Sequence, residues 1–164
     1  MKLQGHGLGI DLIDGWEARV FRRARSVGAD DTQPIVHLAN FPLPEVRGDF
    51  GGGVVEHLRS GDVFVVLFDY GPDAVDQPLF ARHGMPQLTP SHFRSANLQR
   101  AIPGQVGAQR FFQHHGRAFG LYVVAGDAAT ARRLVGEVNH VVTNIAVTPP
   151  GTRATEDTPM TDAP

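Results

Sequence analysis

The sequence predicts an α+β fold in which an antiparallel β-sheet is sandwiched by helices and the C-terminal helix packs on the sheet. A hairpin signal is the first observation behind this prediction. The aromatic and β-branched runs Ala108–Gln113 and Arg117–Val124 flank a turn at His114-His115-Gly116. The second observation is an amphipathic segment beyond the hairpin, where Asp127 can cap a helix over Ala128–Val142.

This C-terminal helix carries an apolar stripe. Large apolar residues recur at spacings of three and four, which predicts one helix side laid against the sheet. They are Leu134, Val135, Val138, Val141, Val142 and Ile145. A short final strand is expected at Ile145–Val147, directly after the helix.

Three strands are predicted in the first part of the chain. Leu8–Leu12 alternates apolar and polar residues, and a turn at Asp14-Gly15 leads to Glu17–Ala24. This pattern predicts a hairpin between these two strands. Pro34–Phe41 is expected to form a third strand, ended by prolines that cannot donate to a ladder.

Val63–Tyr70 is the strongest strand signal, because its near-continuous apolar run indicates burial on both faces and a central position in the sheet. A short helix, Val54–Arg59, is expected just before it. Gly71–Arg100 is irregular and interrupted by prolines. A stretch of this length in a compact domain usually wraps the core or carries function. Leu98–Ile102 is expected to return to the sheet.

Length and composition predict one globular domain, 1–148, followed by a disordered tail, 149–164, which has little apolar content. The chain has 164 residues, of which 41% are hydrophobic and 20% are charged, as in ordinary soluble proteins. A net charge of −2 provides no general attraction to nucleic acid or to an anionic membrane. Without a signal segment or a membrane-spanning run, a cytoplasmic location is expected.

Several kinds of chemistry are not indicated. There is no cysteine, which excludes disulfides, thiolate catalysis and cysteine-ligated metals, and the eight histidines lack metal-site spacings. No metal and no cofactor is therefore predicted. The glycine-rich Arg47–Gly53 lacks a nucleotide-binding pattern, and no serine lies in a nucleophile elbow. No catalytic residue is predicted, although a hydrolase built on Asp49, Ser91 or His92 stays an open alternative.

The predicted function is a non-catalytic protein-binding or adaptor domain. Its contact surface is expected on Pro42–Gly53 and Gly71–Arg100, because both combine loop backbone with large apolar residues. The predicted partner-binding residues are Arg47, Asp49, Phe50, Leu79, Phe80, Met85 and Phe93. The alternative is a small-ligand-binding protein whose pocket is lined by Trp16 and Tyr70, with Arg47 meeting an anionic group.

Three places in the chain resemble the PsbP-like superfamily. They are an early strand that runs into a Gly-Trp turn, Ile10–Trp16, the late hairpin Ala108–Val124, and a terminal helix that leads to Asn144–Val147. The resemblance implies an α/β/α sandwich and a non-enzymatic module that docks onto a larger, unidentified partner. It supplies no catalytic residue.

Shorter stretches are similar to actinobacterial proteins of this general type, from which no activity carries over. They are Asn40–Pro44, Arg47–Gly51 and Gly116–Phe119.

Overall fold

The computed structural model describes residues 1–25, 31–45 and 53–152, which form eight strands and one α-helix. The strands are β1 (Lys2–Gly5), β2 (Leu8–Asp11), β3 (Glu17–Ala24), β4 (Thr32–Ala39), β5 (Val63–Gly71), β6 (Val106–His114), β7 (Arg117–Ala125) and β8 (Ile145–Val147), and helix α1 is Ala128–Thr143. Short 3₁₀ helices lie at Val54–His57, Pro72–Ala74, Pro78–Phe80, Pro90–His92 and Ser95–Asn97. The strands form two antiparallel sheets, so the α+β class is confirmed.

β5 is the central strand of a five-stranded sheet with the order β3-β4-β5-β7-β6. Its residues Val63–Phe68 are all buried, because successive side chains enter two different apolar clusters. Val63, Val65 and Leu67 pack on one face, and Phe64, Val66 and Phe68 pack on the other. The predicted central position, with cover on both faces, is confirmed.

β6 and β7 form the predicted hairpin, with Ala108 opposite Val123 and His114 opposite Arg117. The turn residues His115 and Gly116 have φ angles of 48° and 75°. A two-residue hairpin turn of type I′ requires positive φ at both central positions, which glycine adopts without cost. β7 then lies between β5 and β6 and is buried along its whole length.

Helix α1 and a three-stranded sheet of order β1-β2-β8 cover the same face of the large sheet. Asp127 caps the helix as predicted, since its carboxylate accepts a hydrogen bond from the Thr130 amide at 2.7 Å. Burial of the predicted stripe is also confirmed, at Leu134, Val138, Val141, Val142 and Ile145. β8 is the predicted final strand, and it pairs with β2.

The opposite face of the large sheet has no α-helix over it within the described residues, so the predicted cover by helices on both faces is not seen in this part of the chain. The predicted helix at Val54–Arg59 is only a 3₁₀ turn. It begins after Gly53, whose φ angle is 86°, and ends where Leu58 takes an extended conformation, so it makes only about one turn. Loop side chains cover this face instead, among them Leu43, Val54, Val55, Leu58 and Leu98.

The predicted hairpin between Leu8–Leu12 and Glu17–Ala24 is also wrong. β2 pairs with β1 and β8, whereas β3 pairs with β4 in the large sheet. The connection carries Trp16 into the core, so the chain passes from one sheet to the other at this point. The unpredicted β1 reaches β2 through a turn at His6 and Gly7, whose φ angles are 53° and 76°.

Residues 72–105, called the edge segment below, run along β6, the outermost strand of the large sheet. The Gln113 amide donates to the Arg82 carbonyl at 2.7 Å, and Arg94 and Gly107 exchange two backbone hydrogen bonds at 2.8 and 3.0 Å. Of the two roles that the sequence left open for the irregular stretch, the described residues show that it wraps the core, with Phe80, Leu88 and Phe93 buried. Its contacts shield both ends of an edge strand that would otherwise be open.

The predicted return to the sheet at Leu98–Ile102 is wrong, because these residues form no strand. Leu98 instead packs over the start of β6. A Cβ atom at Gly107 would lie 2.9 Å from Leu98 Cδ2 and 3.3 Å from the Val123 carbonyl oxygen, so a larger residue there would displace the Leu98 side chain.

A buried ion pair joins the two sheets. Arg117 of β7 pairs with Asp69 of β5, and the two side chains are 10% and 1% exposed. The guanidinium also donates to the carbonyls of His6, Gly7 and Thr148, at 3.1, 3.0 and 3.3 Å. Since these carbonyls belong to the β1–β2 turn and to the end of β8, one side chain fastens the small sheet to the large one.

The first residues of the predicted tail lie against the body of the protein. Thr152 donates to the carbonyl of Pro149, and Pro150 lies beside the β6–β7 turn, 3.3 Å from where a Cβ atom at Gly116 would stand. The rest of the predicted tail, 153–164, lies outside the described residues.

Candidate functional site

Four of the seven predicted partner-binding residues lie in the described part of the chain. Phe80 and Phe93 are 3% and 9% exposed, so their rings stabilise the fold and are not presented to a partner. Met85 packs partly buried against the same cluster as Phe93, whereas Leu79 is 56% exposed. The remaining three, Arg47, Asp49 and Phe50, lie outside the described residues.

The residues predicted to line a ligand pocket, Trp16 and Tyr70, are not brought together. Trp16 belongs to the α1 face, where its indole N–H donates to the Glu137 carboxylate. Tyr70 packs on the other face, with its ring centroid 5.2 Å from that of Phe80, and burial raises the pKa of its hydroxyl. The large sheet therefore separates the two rings, and Arg47 lies outside the described residues.

A polar pocket of about 250 Å³ opens on the edge segment. Its lining side chains all carry hydrogen-bond donors, and none of them is a carboxylate. They are Ser91, His92, Arg94, Asn97 and Arg110. This set of groups is suited to holding an anion.

The backbone contacts of β6 explain why arginines meet here. Arg94 pairs with Gly107 near the start of the strand, and the Arg82 carbonyl accepts from Gln113 near its end. Arg110 lies between these two contacts on β6. The sheet edge therefore gathers three arginines from distant parts of the sequence.

The pocket is anchored from behind by helix α1. The Asn139 amide group donates to the Leu88 carbonyl and accepts from the Leu88 N–H, both at 2.8 Å. Phe93, in the middle of the pocket-forming residues, inserts its ring into the core. Within the pocket stretch, Asn97 donates to the His92 carbonyl at 3.0 Å. The pocket is therefore held in place by the fold.

His92 is a neutral donor in this setting. The Thr89 N–H donates to His92 Nδ1 at 3.0 Å, which places the proton of the neutral ring on Nε2. Burial, and then the charges of the neighbouring arginines, lower the pKa of His92 from its ordinary value of 6.5. At a pH above 6.5 the His92 ring is therefore neutral, and the positive charge at this site comes from the arginines.

The arginines themselves have no counter-charge in the described part of the chain: no ion pair there involves Arg82, Arg94 or Arg110. Arg110 donates to the neighbouring Gln109 carbonyl at 2.8 Å, and burial and then the charge of Arg82 lower its pKa. Other arginines are paired, as in Arg25–Asp31, Arg100–Glu56 and Arg117–Asp69. An uncompensated cluster of this kind attracts anions.

The side chains of Ser91 and His92 do not form a nucleophile–base pair with each other. Serine hydrolysis needs a hydrogen bond from the serine to a histidine that a further side chain orients. The Ser91 hydroxyl instead lies 2.9 Å from the Thr89 hydroxyl, and His92 Nδ1 accepts from backbone. No described carboxylate lines this pocket. The third hydrolase candidate, Asp49, lies outside the described residues.

A larger recess, of about 370 Å³, has a different character. Its lining is mainly apolar, and its arginine, Arg59, lies beside a carboxylate, Asp62, which accepts a hydrogen bond from the Arg59 backbone N–H at 2.8 Å. The lining residues are Phe41, Pro42, Pro44, Val54, His57, Arg59 and Asp62. They flank 46–52, which lie outside the described residues, so the polar pocket is the better-defined candidate.

The sequence pattern named Ser91 and His92 among the hydrolase candidates, but it did not indicate that Arg94, Asn97 and Arg110 belong to the same site. No spacing connects Arg94 with Arg110, because the contact between them depends on the pairing of the edge segment with β6. The one available signal was Gly107, since a glycine within a strand often marks a close approach by another backbone.

No helix in the described ranges is long and apolar enough to cross a membrane, and no three histidine or acidic side chains gather there as metal ligands. Comparisons with protein-family models, curated proteins and solved structures find no match for this chain. The structure defines its class as an α+β protein with a five-stranded and a three-stranded antiparallel sheet.

Proposed function

We propose that this chain is a non-catalytic binding domain of the adaptor type, and that its polar pocket receives an anionic group of the binding partner. The observation that carries the proposal is the cluster of Arg82, Arg94 and Arg110 without a described counter-charge. The formal net charge of the chain is −2, so this positive charge is local and directs an anion to one place.

Three further observations support a binding role. The pocket is anchored at Leu88 and Phe93, so little ordering entropy is lost when a ligand enters. The resemblance to the PsbP-like superfamily favours the same class, because it implies docking onto a partner without catalysis. The arrangement of Ser91 with Thr89, and not with His92, also agrees with this class.

Titration of the ¹⁵N-labelled full chain with sulfate, phosphate and acetate at pH 7.5 and low salt tests the proposal. We expect amide shift changes concentrated in 91–97 and 107–113, and weaker binding at high salt because the cluster is partly exposed. Arg110→Gln should abolish these changes. The matched control is Arg132→Gln, which removes an exposed arginine on α1 and should bind as the wild type does.

Equal responses from Arg110→Gln and Arg132→Gln, with both proteins folded, would show that the pocket is not the anion-binding site.

The proposal that the domain is not catalytic has its own test, an assay for hydrolysis of p-nitrophenyl acetate and p-nitrophenyl phosphate. Turnover of either probe that Ser91→Ala or His92→Ala abolishes would restore the hydrolase alternative.

A further inference from the structure

We infer that the anionic group recognised by the polar pocket is a phosphate monoester. This inference rests on the proposed function, because it specifies the chemistry of the ligand at the same site. Charge is the first argument. Arg94 and Arg110 line the pocket, and Arg82 acts on both Arg110 and His92 through its charge. A phosphate monoester carries about −1.5 to −2 at pH 7, whereas a carboxylate or a sulfate ester supplies only one negative charge.

The arrangement of donors is the second argument. Arg94 follows the Pro90–His92 turn and Arg110 comes from β6, so the two arginines reach the pocket from different elements of the fold. Asn97 adds an amide, and the Thr89–Ser91 pair of hydroxyls keeps one proton free to donate. Donors on several sides suit a tetrahedral group with three terminal oxygens better than a planar carboxylate with two.

Size is the third argument. The pocket of about 250 Å³ is smaller than the sites that enclose whole drug-sized ligands, which occupy about 300–1,000 Å³. Its lining is polar, and it has no apolar wall against which a ring or an acyl chain would pack. The pocket therefore fits the charged end of a larger molecule that extends into solvent.

Three probes with the same phenyl ring separate these features. Phenyl phosphate has a tetrahedral dianion at pH 7.5, phenyl sulfate has a tetrahedral monoanion, and benzoate has a planar monoanion. We expect phenyl phosphate to bind at least about tenfold more tightly than phenyl sulfate, because its additional negative charge is attracted by several arginines at once; a tenfold difference corresponds to about 1.4 kcal/mol. Benzoate should bind most weakly.

Two variants assign the preference to the pocket. Arg110→Gln should lower the affinity for phenyl phosphate by about tenfold or more, since a charge-assisted bidentate contact is lost. Arg94→Gln should have a similar effect, and it keeps the test valid if Arg110→Gln does not fold. The Arg94 side chain is exposed, and only its backbone pairs with Gly107. Arg132→Gln is again the control.

The outcomes separate the two proposals. Equal binding of the three probes, lost in Arg110→Gln, would overturn the phosphate inference and leave the anion-binding proposal standing. An absence of binding by every probe would overturn both. A peptide that contains one phosphoserine then distinguishes two sources of the same group. Binding at least as tight as that of phenyl phosphate assigns a phosphorylated protein, and much weaker binding assigns a small phosphorylated molecule.

Discussion

The β5–β7 pair and the edge segment satisfy their backbones in different ways. β5 and β7 pair residue by residue, from Val63 opposite Ala125 to Asp69 opposite Phe119, and each has a further strand on its other side. Their hydrogen bonds come from the ladder, and their side chains are free to fill the core. Strand pairing of this kind leaves few donors for a ligand.

The edge segment has no strand, and side chains from other elements bind its backbone. Asn139 of α1 binds both polar groups of Leu88, and Gln113 of β6 donates to the Val75 and Phe80 carbonyls at 3.0 and 2.8 Å. The Tyr122 hydroxyl accepts from the Gln99 N–H at 2.8 Å. A segment held in this way is ordered without a regular pattern.

The comparison shows how this protein separates stability from recognition. In the central strands, the backbone polar groups form hydrogen bonds with neighbouring strands, and most side chains pack in the apolar core. The edge segment is held at a few points along β6, and the guanidinium groups of Arg94 in this segment and of Arg110 in β6 line the pocket beside them. Four substitutions test this difference, from the largest expected effect to the smallest.

Val65→Asp should unfold the protein. Val65 is fully buried in β5, and an unpaired carboxylate there costs several kcal/mol, a large part of the roughly 5–15 kcal/mol that stabilises a typical domain. Circular dichroism and chemical denaturation measure the effect. Ala146→Asp on the exposed position of β8 is the control and should remain folded. A folded Val65→Asp protein with a normal melting temperature would contradict the central role of β5.

Arg117→Leu tests the junction of the two sheets. The change leaves the Asp69 carboxylate buried without its cation, and breaking such a pair typically destabilises by about 3–5 kcal/mol. Urea denaturation measures the loss. Adding Asp69→Asn should recover part of it, because the amide needs no counter-charge. If the double variant were no more stable than the single one, loss of the bonds to His6, Gly7 and Thr148 would be the main effect.

Gly126→Ala tests the exit from β7. An added Cβ atom would lie 1.9 Å from the Arg59 carbonyl oxygen, so backbone must shift, at a cost of about 1–3 kcal/mol. Gly136→Ala is the matched control, since nothing lies within 4 Å of its Cβ position in α1. Helix propensity predicts that this control gains about 0.5–1 kcal/mol. If Gly126→Ala and Gly136→Ala shifted the melting temperature in the same direction, the steric explanation for Gly126 would be refuted.

Asn139→Ala should act on the edge segment and leave the sheet intact. The substitution removes the hydrogen-bond partner of both the N–H and the carbonyl of the buried Leu88. Each of these groups, if it stays buried and unsatisfied, costs about 1–3 kcal/mol of folding free energy. Local opening limits this cost, so we expect a small fall in global stability and faster amide exchange in 86–92. Anion binding should weaken without the loss of any arginine.

The matched control for this substitution is Asn144→Ala at the exposed end of α1, where the side chain lies 3.2 Å from His140 Nε2. Unchanged amide exchange in Asn139→Ala would mean that the hydrogen bonds between Asn139 and the Leu88 backbone do not hold the pocket in place.

Local patterns explain which elements were predicted correctly. β5 has an unbroken apolar run, α1 has an apolar stripe behind a capping aspartate, and the β6–β7 turn has a glycine that adopts positive φ. Each of these signals is contained within about 20 consecutive residues and needs no distant partner. The failed predictions concern pairing, as at β2, or the cover of one face by loops.

The sequence by itself determined the α+β class, the central strand, the late hairpin and the helix with its buried side, because periodicity and turn chemistry act between near neighbours. Only the tertiary structure decided that β2 joins β1 and β8, that Phe80 and Phe93 are core residues, and that Arg117 fastens the small sheet. The tertiary structure also decided which residues come together in the candidate site. Arg82, Arg94 and Arg110 meet because the edge segment pairs with β6, and such long-range pairing leaves no periodic trace in the sequence.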